Sequence, residues 1–368
     1  MSVVAMAGVL STMPAAAQVS DDSSTYDKIW GYLEFVDNEE ATVLQGLKLS
    51  GRLQGDAAYF SSDDHGDFSD LVWRRFRLGG KAILFQDILL HAEADIDLNK
   101  TGSSDIYNRL TDAYIGWTPS TALKLKVGKQ SAGFTLDGAT SSKNLLTLER
   151  SIVAGNLWFT TEYFTGVSGS GSADGWKYKL GGFSTSGDDE FGHFDSGWFT
   201  LASIGHDIAE NSSLRIDYVH NEPDYSGEVG TKKLTDVVSA VSKSEFGQLG
   251  FWADLSYARG DDSEGQSDLI GLELMPFWDF TDMWQGVFRY SLVHSTDGPG
   301  ATLGRYPKKN LSGSAYEDVH DFYLGVNCFL YGHKLKWQTG VEYNLASNDS
   351  AGDNYNGWGV TTGVRISW

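Results

Sequence analysis

The chain has 368 residues, with 49 Asp or Glu against 28 Lys or Arg, so its formal net charge is −21 at pH 7. This acidic balance argues against a nucleic-acid partner, because binding to phosphate backbones depends on clustered Lys and Arg. After the amino terminus, no apolar run reaches the roughly 18 to 20 residues that a membrane-spanning helix needs. The 43 Gly, with only 6 Pro and 1 Cys, suit many strands joined by turns.

The first 17 residues have the features of an export signal. Val3 to Leu10 form a short apolar core, and Ala15 to Ala17 form a small-residue cleavage site, although no Lys or Arg precedes the core. We therefore predict a signal peptide over residues 1–17, a periplasmic amino-terminal segment over 18–44 and one barrel domain over 45–368. A soluble amino-terminal helix is the alternative for the first segment, but its Ala-rich run lacks an amphipathic stripe.

About sixteen segments alternate between apolar and polar residues, which is the pattern of strands with one lipid face and one wet face. In the strand from Leu89 to Leu98, for example, Leu90 and Ala92 face one way while His91 and Glu93 face the other. The predicted strands are 45–60, 72–84, 89–98, 110–117, 122–130, 157–167, 176–184, 198–208, 213–220, 236–243, 246–257, 268–277, 284–294, 319–331, 334–345 and 357–368.

The last strand, Gly357 to Trp368, is the most informative, because it ends on an aromatic residue with Val364 and Ile366 on one face and Arg365 on the other. We predict an all-β fold: a closed antiparallel transmembrane β-barrel of about 16 strands. A soluble β-sandwich is the structural alternative. It is disfavoured because charged residues fill the inward positions of several long strands and leave no apolar core for two sheets to share.

The alternation is interrupted by a 26-residue excursion from Ser131 to Asn156. An insertion of this length in a compact barrel is usually functional. Within it, Leu145, Leu146 and Leu148 before Glu149-Arg150 predict a short helical turn.

Several motifs in and before this excursion carry a family resemblance. They are Leu125-Lys-Val-Gly-Lys129, Phe134, Ala139-Thr-Ser-Ser-Lys143 and Leu148-Glu-Arg150, together with Gly51-Arg-Leu-Gln-Gly-Asp56 and Trp73-Arg-Arg75 upstream. This pattern resembles the phosphate-selective porin family of Gram-negative outer membranes. The resemblance implies a sixteen-stranded, trimeric, anion-selective channel whose inward loop forms a narrow constriction, or eyelet.

The resemblance also implies which residues line the channel. The eyelet would use the hydroxyls of Ser141 and Ser142, with Arg150 and Lys126 as nearby cations. A row of basic residues at the channel entrance would include Arg74, Arg75 and, in the predicted register, Arg77. Hydroxyl donors and fixed positive charges suit phosphate. Phosphate-selective members carry a Lys immediately before the Ala-Thr-Ser-Ser-Lys run, and here that position is Gly138, preceded by Asp137.

No sequence motif points to catalysis or to a bound metal. The chain has no Gly-x-Ser-x-Gly, no His-Glu-x-x-His, no Walker phosphate loop and no spaced Cys/His set. We therefore predict a bacterial outer-membrane porin, without enzyme activity or cofactor, for small inorganic anions such as phosphate-like oxyanions. Its other expected partners are outer-membrane lipid, lipopolysaccharide and two further copies of the chain. A general diffusion porin with little selectivity is the alternative, and an outer-membrane enzyme or adhesion barrel is a third.

Overall fold

The computed structural model describes residues 24–63, 65–100, 106–159, 161–311, 315–348 and 354–368. The predicted signal peptide therefore lies outside the described residues. The strands are β1 (Glu34–Asp37), β2 (Leu44–Ser62), β3 (Gly66–Leu84), β4 (Ile88–Ile96), β5 (Tyr107–Ser120), β6 (Leu123–Ser131), β7 (Tyr163–Ala173), β8 (Trp176–Ser184), β9 (Gly197–Ala209), β10 (Ser212–Pro223), β11 (Leu234–Phe246), β12 (Leu249–Gly260), β13 (Leu269–Asp279), β14 (Trp284–Ser295), β15 (Asp318–Tyr331), β16 (Leu335–Ser347) and β17 (Tyr355–Ser367).

Strands β2 to β17 form one closed antiparallel barrel of sixteen strands, which confirms the predicted fold class. Each strand pairs with the next along the chain, and β17 closes the barrel by pairing with β2 from Gly357 opposite Ser62 to Ser367 opposite Arg52. Closure leaves no sheet edge within the membrane, where unpaired backbone groups are costly. In the described part of the chain, no helix combines the length and apolar character needed to cross a membrane.

The amino-terminal segment joins the barrel at the end that carries the short turns. Helix α1 (Thr25–Gly31) begins at a capping box on Ser24, and the Trp30 side chain donates a 2.7 Å hydrogen bond to the carbonyl of Ser367. Strand β1 then pairs with β2 at Lys48, beyond the point where β17 ends. The segment thus extends the sheet along the edge of β2.

The two faces of the strands follow the predicted alternation. Leu90 and Val364 are exposed toward lipid, whereas His91 and Arg365 are buried on the inner face. Several predicted strand boundaries differ by a few residues, and two are misplaced: Phe246, predicted to begin a strand, ends β11, and the segment predicted from Leu157 becomes a strand only at Tyr163. Leu157, Trp158 and Phe159 are all buried, because they pack inside the barrel as part of a loop and do not pair in the sheet.

The inside of the barrel contains an apolar core that the polar inward faces did not predict. Phe199, Val219 and Val293 on the wall are fully buried against Phe134 and Leu157 of the loop between β6 and β7. The same cluster reaches Leu303 of the loop between β14 and β15. Burying these side chains stabilises the loops in the lumen by roughly 25 cal/mol per Å² of apolar surface removed from water.

Candidate functional site

Residues 132–162, between β6 and β7, fold into the barrel and contact the opposite wall. The loop contains two short helices, α2 (Leu136–Ala139) and α3 (Ile152–Leu157). Wall side chains bind its backbone: Asp217 accepts from the amide of Thr135 at 3.0 Å, and Asn327 donates to the carbonyl of Leu146 at 2.8 Å. The predicted helical turn at residues 145–150 is wrong, because wall donors take the carbonyls there and the segment contains no helix.

The wall behind this loop is acidic, and its carboxylates are buried. The residues are Asp217, Asp254, Glu273 and Asp321 on the strands and Asp137 on the loop, all at most 2% exposed. Glu273 accepts a 2.6 Å hydrogen bond from Ser151, and Arg289 lies 3.0 Å from Asp321. These carboxylates hold the loop in place and are out of reach of a solute in the channel.

The facing wall carries the predicted row of arginines on β3. A β-bulge places two consecutive arginines on the inner face: Arg75 lies opposite Gln54 and Trp73 opposite Gly55, so Arg74 has no partner in the register. An extra residue of this kind re-aims the side chains on one side of the bulge. Arg75 and Arg77 are 4% and 1% exposed, whereas Trp73 points outward.

Two loop carboxylates lie between these arginines. Arg74 donates to both carboxylate oxygens of Glu149, one of the bonds being 3.1 Å long. Glu162 accepts from Arg77 at 3.3 Å and from Arg150 at 3.0 Å. The structure therefore forms two ion-pair groups between the loop and the wall: Arg74 pairs with Glu149, and both Arg77 and Arg150 pair with Glu162.

The two predicted serines lie in different environments. Ser142 is buried, and its hydroxyl accepts a 2.7 Å hydrogen bond from Arg52 of β2. Ser141 is exposed, and its hydroxyl accepts from the amide of Lys143. Arg52, which the site prediction missed, also contacts Glu93 at 3.2 Å. Arg52 and Gln54 are two residues apart in the Gly-Arg-Leu-Gln run, so strand alternation places both side chains on the inner face. That alternation is the sequence signal from which Arg52 could have been predicted.

In the described part of the chain, the Lys126 side chain makes no hydrogen bond with Ser141 or Ser142. It lies on the inner face of β6 with its ammonium 4.2 Å from the centre of the Tyr114 ring. Four further lysines are partly exposed around it or along the loop: Lys81, Lys124, Lys143 and Lys179. Lys126 thus belongs to a basic wall formed by β3, β6 and β8 rather than to an eyelet.

The position where phosphate-selective members carry a lysine has no room for a side chain. A Cβ atom on Gly138 would lie 2.6 Å from the Trp158 ring and 2.8 Å from the hydroxyl of Thr135. Arg150 covers the same tryptophan, with its guanidinium carbon 4.6 Å from the ring centre. A lysine at position 138 would therefore point into Trp158 instead of the channel.

A second loop adds a cation that sequence reasoning missed. Residues 296–317, between β14 and β15, reach the β2–β3 wall, where Tyr306 donates a 2.5 Å hydrogen bond to Asp56. The same loop places Arg305 4.0 Å from Glu149. No spacing pattern links this loop to β3, so only the folded barrel reveals the contact.

The family that the motifs predicted is confirmed by sequence comparison. A family model described as phosphate-selective porin O and P matches residues 47–224. The protein is an outer-membrane porin. The matched region includes the arginine row and the inward loop, but not the loop that carries Arg305. No curated protein sequence gives a significant match.

Solved structures resemble this porin in fold. An anion-selective porin from Comamonas acidovorans has 13% identity and a TM-score of 0.63, with 88% of this chain and 99% of that chain covered. The outer-membrane channel DcaP of Acinetobacter baumannii has 16% identity and a TM-score of 0.60, covering 88% and 97%. A trimer form of OmpT from Vibrio cholerae has 14% identity and a TM-score of 0.53, covering 88% and 99%. At these identities the similarity shows the fold alone.

Proposed function

We propose that this outer-membrane porin is a passive channel for small anions, including phosphate and related oxyanions, and has no catalytic role. The observation that carries the proposal is the distribution of accessible charge in the lumen. The acidic wall is covered by the loop, whereas lysines of the basic wall keep contact with water. The lysines share this wall with Asp112, whose side chain is 15% exposed, so we infer a solute path lined by more accessible cations than carboxylates.

The overall charge of −21 does not oppose this reading. Selectivity depends on the local field along the path, and a low-dielectric wall strengthens that field. Lys81, Lys126 and Lys143 are each partly exposed on or beside the path, while Asp217 and Asp321 are only 2% exposed. Arginine also binds oxyanions with two parallel hydrogen bonds, which favours phosphate-like solutes over simple halides.

A general diffusion porin with little selectivity is the second candidate. It is favoured by the pairing of Arg74 with Glu149 and of Arg77 with Glu162, which lowers the free charge of the row. The absence of a side chain at Gly138 adds to this.

Reversal potential in asymmetric KCl across a planar bilayer separates these functions. We expect a clear preference for chloride over potassium. A reversal potential near zero would favour the general diffusion porin, and a preference for potassium would contradict the proposed anion path.

We also propose that the porin assembles as a homotrimer in a bilayer of lipid and lipopolysaccharide. The outer face of β3 to β5 carries a patch of small residues, Gly80, Ala82, Ala92 and Ala113, bordered by Leu90 and Ile115. Most other outward positions carry large apolar residues that suit lipid, such as Leu255 and Trp278. Heat-modifiable migration at three times the monomer mass on mild detergent gels would support the trimer, and a monomer band alone would contradict it.

A further inference from the structure

Three arginines converge on the carboxylate of Glu149: the neighbours Arg74 and Arg75 of β3, and Arg305 of the loop between β14 and β15. Arg74 binds it with two hydrogen bonds, while the nearest nitrogens of Arg75 and Arg305 both lie 4.0 Å away. The Glu149 side chain is 11% exposed, so the group is at the water boundary of the lumen and not deep in the wall. Such an arrangement is an oxyanion site already filled by a group of the protein.

Positive charge remains in excess at this position. Within the described residues, the Arg75 side chain hydrogen-bonds only the neutral amide of Gln54, and the buried Nε of Arg305 has no hydrogen-bond partner. Burial alone would raise the pKa of Glu149, but the charges of Arg74 and Arg75 outweigh it and hold the pKa well below its usual range. The carboxylate is therefore ionised, and donors are left for a second anion.

We propose that Glu149 is a tethered counter-anion, occupying an oxyanion site of Arg74, Arg75 and Arg305 for which a permeating oxyanion competes. The inference rests on the proposed anion path and adds the residue that sets how tightly an oxyanion is held there. A carboxylate and a phosphate or sulfate present the same pair of oxygens to a guanidinium.

Tethering gives Glu149 a high effective concentration at these arginines. A free oxyanion must displace the carboxylate or share the site with it, so its binding is weak and its release is fast. An oxyanion therefore passes this position without being held there for long. Without the carboxylate, we expect the arginines to bind the oxyanion more tightly and to release it more slowly.

The test uses Glu149→Gln, which keeps the shape of the side chain but removes the charge. The purified full-length porin is placed in planar bilayers, and inorganic phosphate is added at increasing concentration while chloride current is recorded. We expect the half-blocking concentration of phosphate to fall about tenfold or more, because charge-assisted bidentate bonds become available to the solute. Glu149→Asp, with the charge retained on a shorter chain, should lie between this variant and the wild type.

Glu264→Gln is the matched control, since Glu264 lies on an exposed loop and pairs with Lys233 outside the arginine row. Unchanged phosphate block in Glu149→Gln, or an equal change in Glu264→Gln, overturns the inference. The wild-type reversal potential tests the anion path separately. A cation-preferring wild type that gains phosphate block with Glu149→Gln would reject the proposed function but retain the oxyanion site.

Discussion

At the scale of single residues, Arg75 and Arg77 are the basic side chains that sequence parity placed in the lumen and that the structure buries on its inner wall. We expect the double variant Arg75→Gln, Arg77→Gln to shift the reversal potential toward potassium, because the local anion concentration falls with the lost field. Lys28→Gln with Lys334→Gln removes the same charge outside the constriction and should cause a smaller shift. An unchanged potential in the arginine variant would remove these residues from the conduction path.

We expect Lys143 of the inward loop to make the anion preference depend on pH. Burial, helped by the charge of Arg52, lowers the pKa of Lys143 to about 8. Its ammonium faces Arg52, Lys81 and Glu93 and donates a 2.8 Å hydrogen bond to the carbonyl of Trp368. The charged form is present below that pKa and is lost above it, so anion preference should decline as pH rises from 7 to 9.

Reversal potentials at both pH values check this expectation. Lys143→Arg keeps its charge over the whole range, so the variant should lose less anion preference than the wild type. An equal decline in both proteins would assign the pH dependence to other lysines.

At the scale of elements, the terminal strand is defined by its lipid-facing register. Ile366→Asp places a charge on that face, one residue before the strand ends, where the cost is below the few kcal/mol reached at the middle of the bilayer. We expect less folded, heat-modifiable protein in the outer membrane. Ile29→Asp, on the exposed surface of α1, is the control. Insertion of Ile366→Asp at the wild-type level would mean that the register of β17 is different.

Strands were more predictable than loops because their period of two is local information. In the neighbouring pairs Leu90-His91 and Val364-Arg365, the apolar residue marks the lipid face and the polar residue marks the face toward water. The helices of residues 132–162 have no such signal: α2 spans only four residues and is held by Asp217 and Asp254, which come much later in the chain. Tertiary contacts, not helical periodicity, decide the shape of that loop.

The bulge at Arg74 shows the same limit within a strand. The sequence motif suggested Arg74 and Arg75 together, although strict alternation would point them to opposite faces. Only the pairing of β3 with β2 explains how both reach the lumen. The partners Glu149 and Glu162 were likewise invisible to spacing, because they depend on where the loop lies.

At the scale of the whole molecule, the porin separates its charges by location. The alternation along each strand predicts which carboxylates face inward, but it does not predict which wall the inward loop covers. The structure buries Asp254, Glu273 and Asp321 behind the loop and leaves Lys81 and Lys126 partly exposed. On the proposed anion path, an acidic protein would therefore have a mainly basic lining.

This separation predicts a dependence on salt. The Debye length falls from about 10 Å at 0.1 M to about 3 Å at 1 M ionic strength. We expect the chloride preference to weaken when both compartments are raised over this range at a fixed concentration ratio, because partly exposed lysines are screened. Tightly paired groups such as Arg77 and Glu162 are screened less. A preference that stays constant with salt would assign selectivity to the buried pairs alone.

Arg74 is one extra residue in β3 relative to β2, and the effect of this extra residue can be tested separately from that of its guanidinium. Arg74→Ala removes the guanidinium but keeps the extra residue, so Trp73 and Leu71 still face lipid. Deleting Arg74 leaves Trp73 opposite Gly55 and Arg75 opposite Gln54 as consecutive pairs, so the strand regains strict alternation and both of its faces are kept. We expect both variants to assemble with a wild-type yield of heat-modifiable protein. A loss of assembly in the deletion alone would mean that the bulge is needed to set the register of β3.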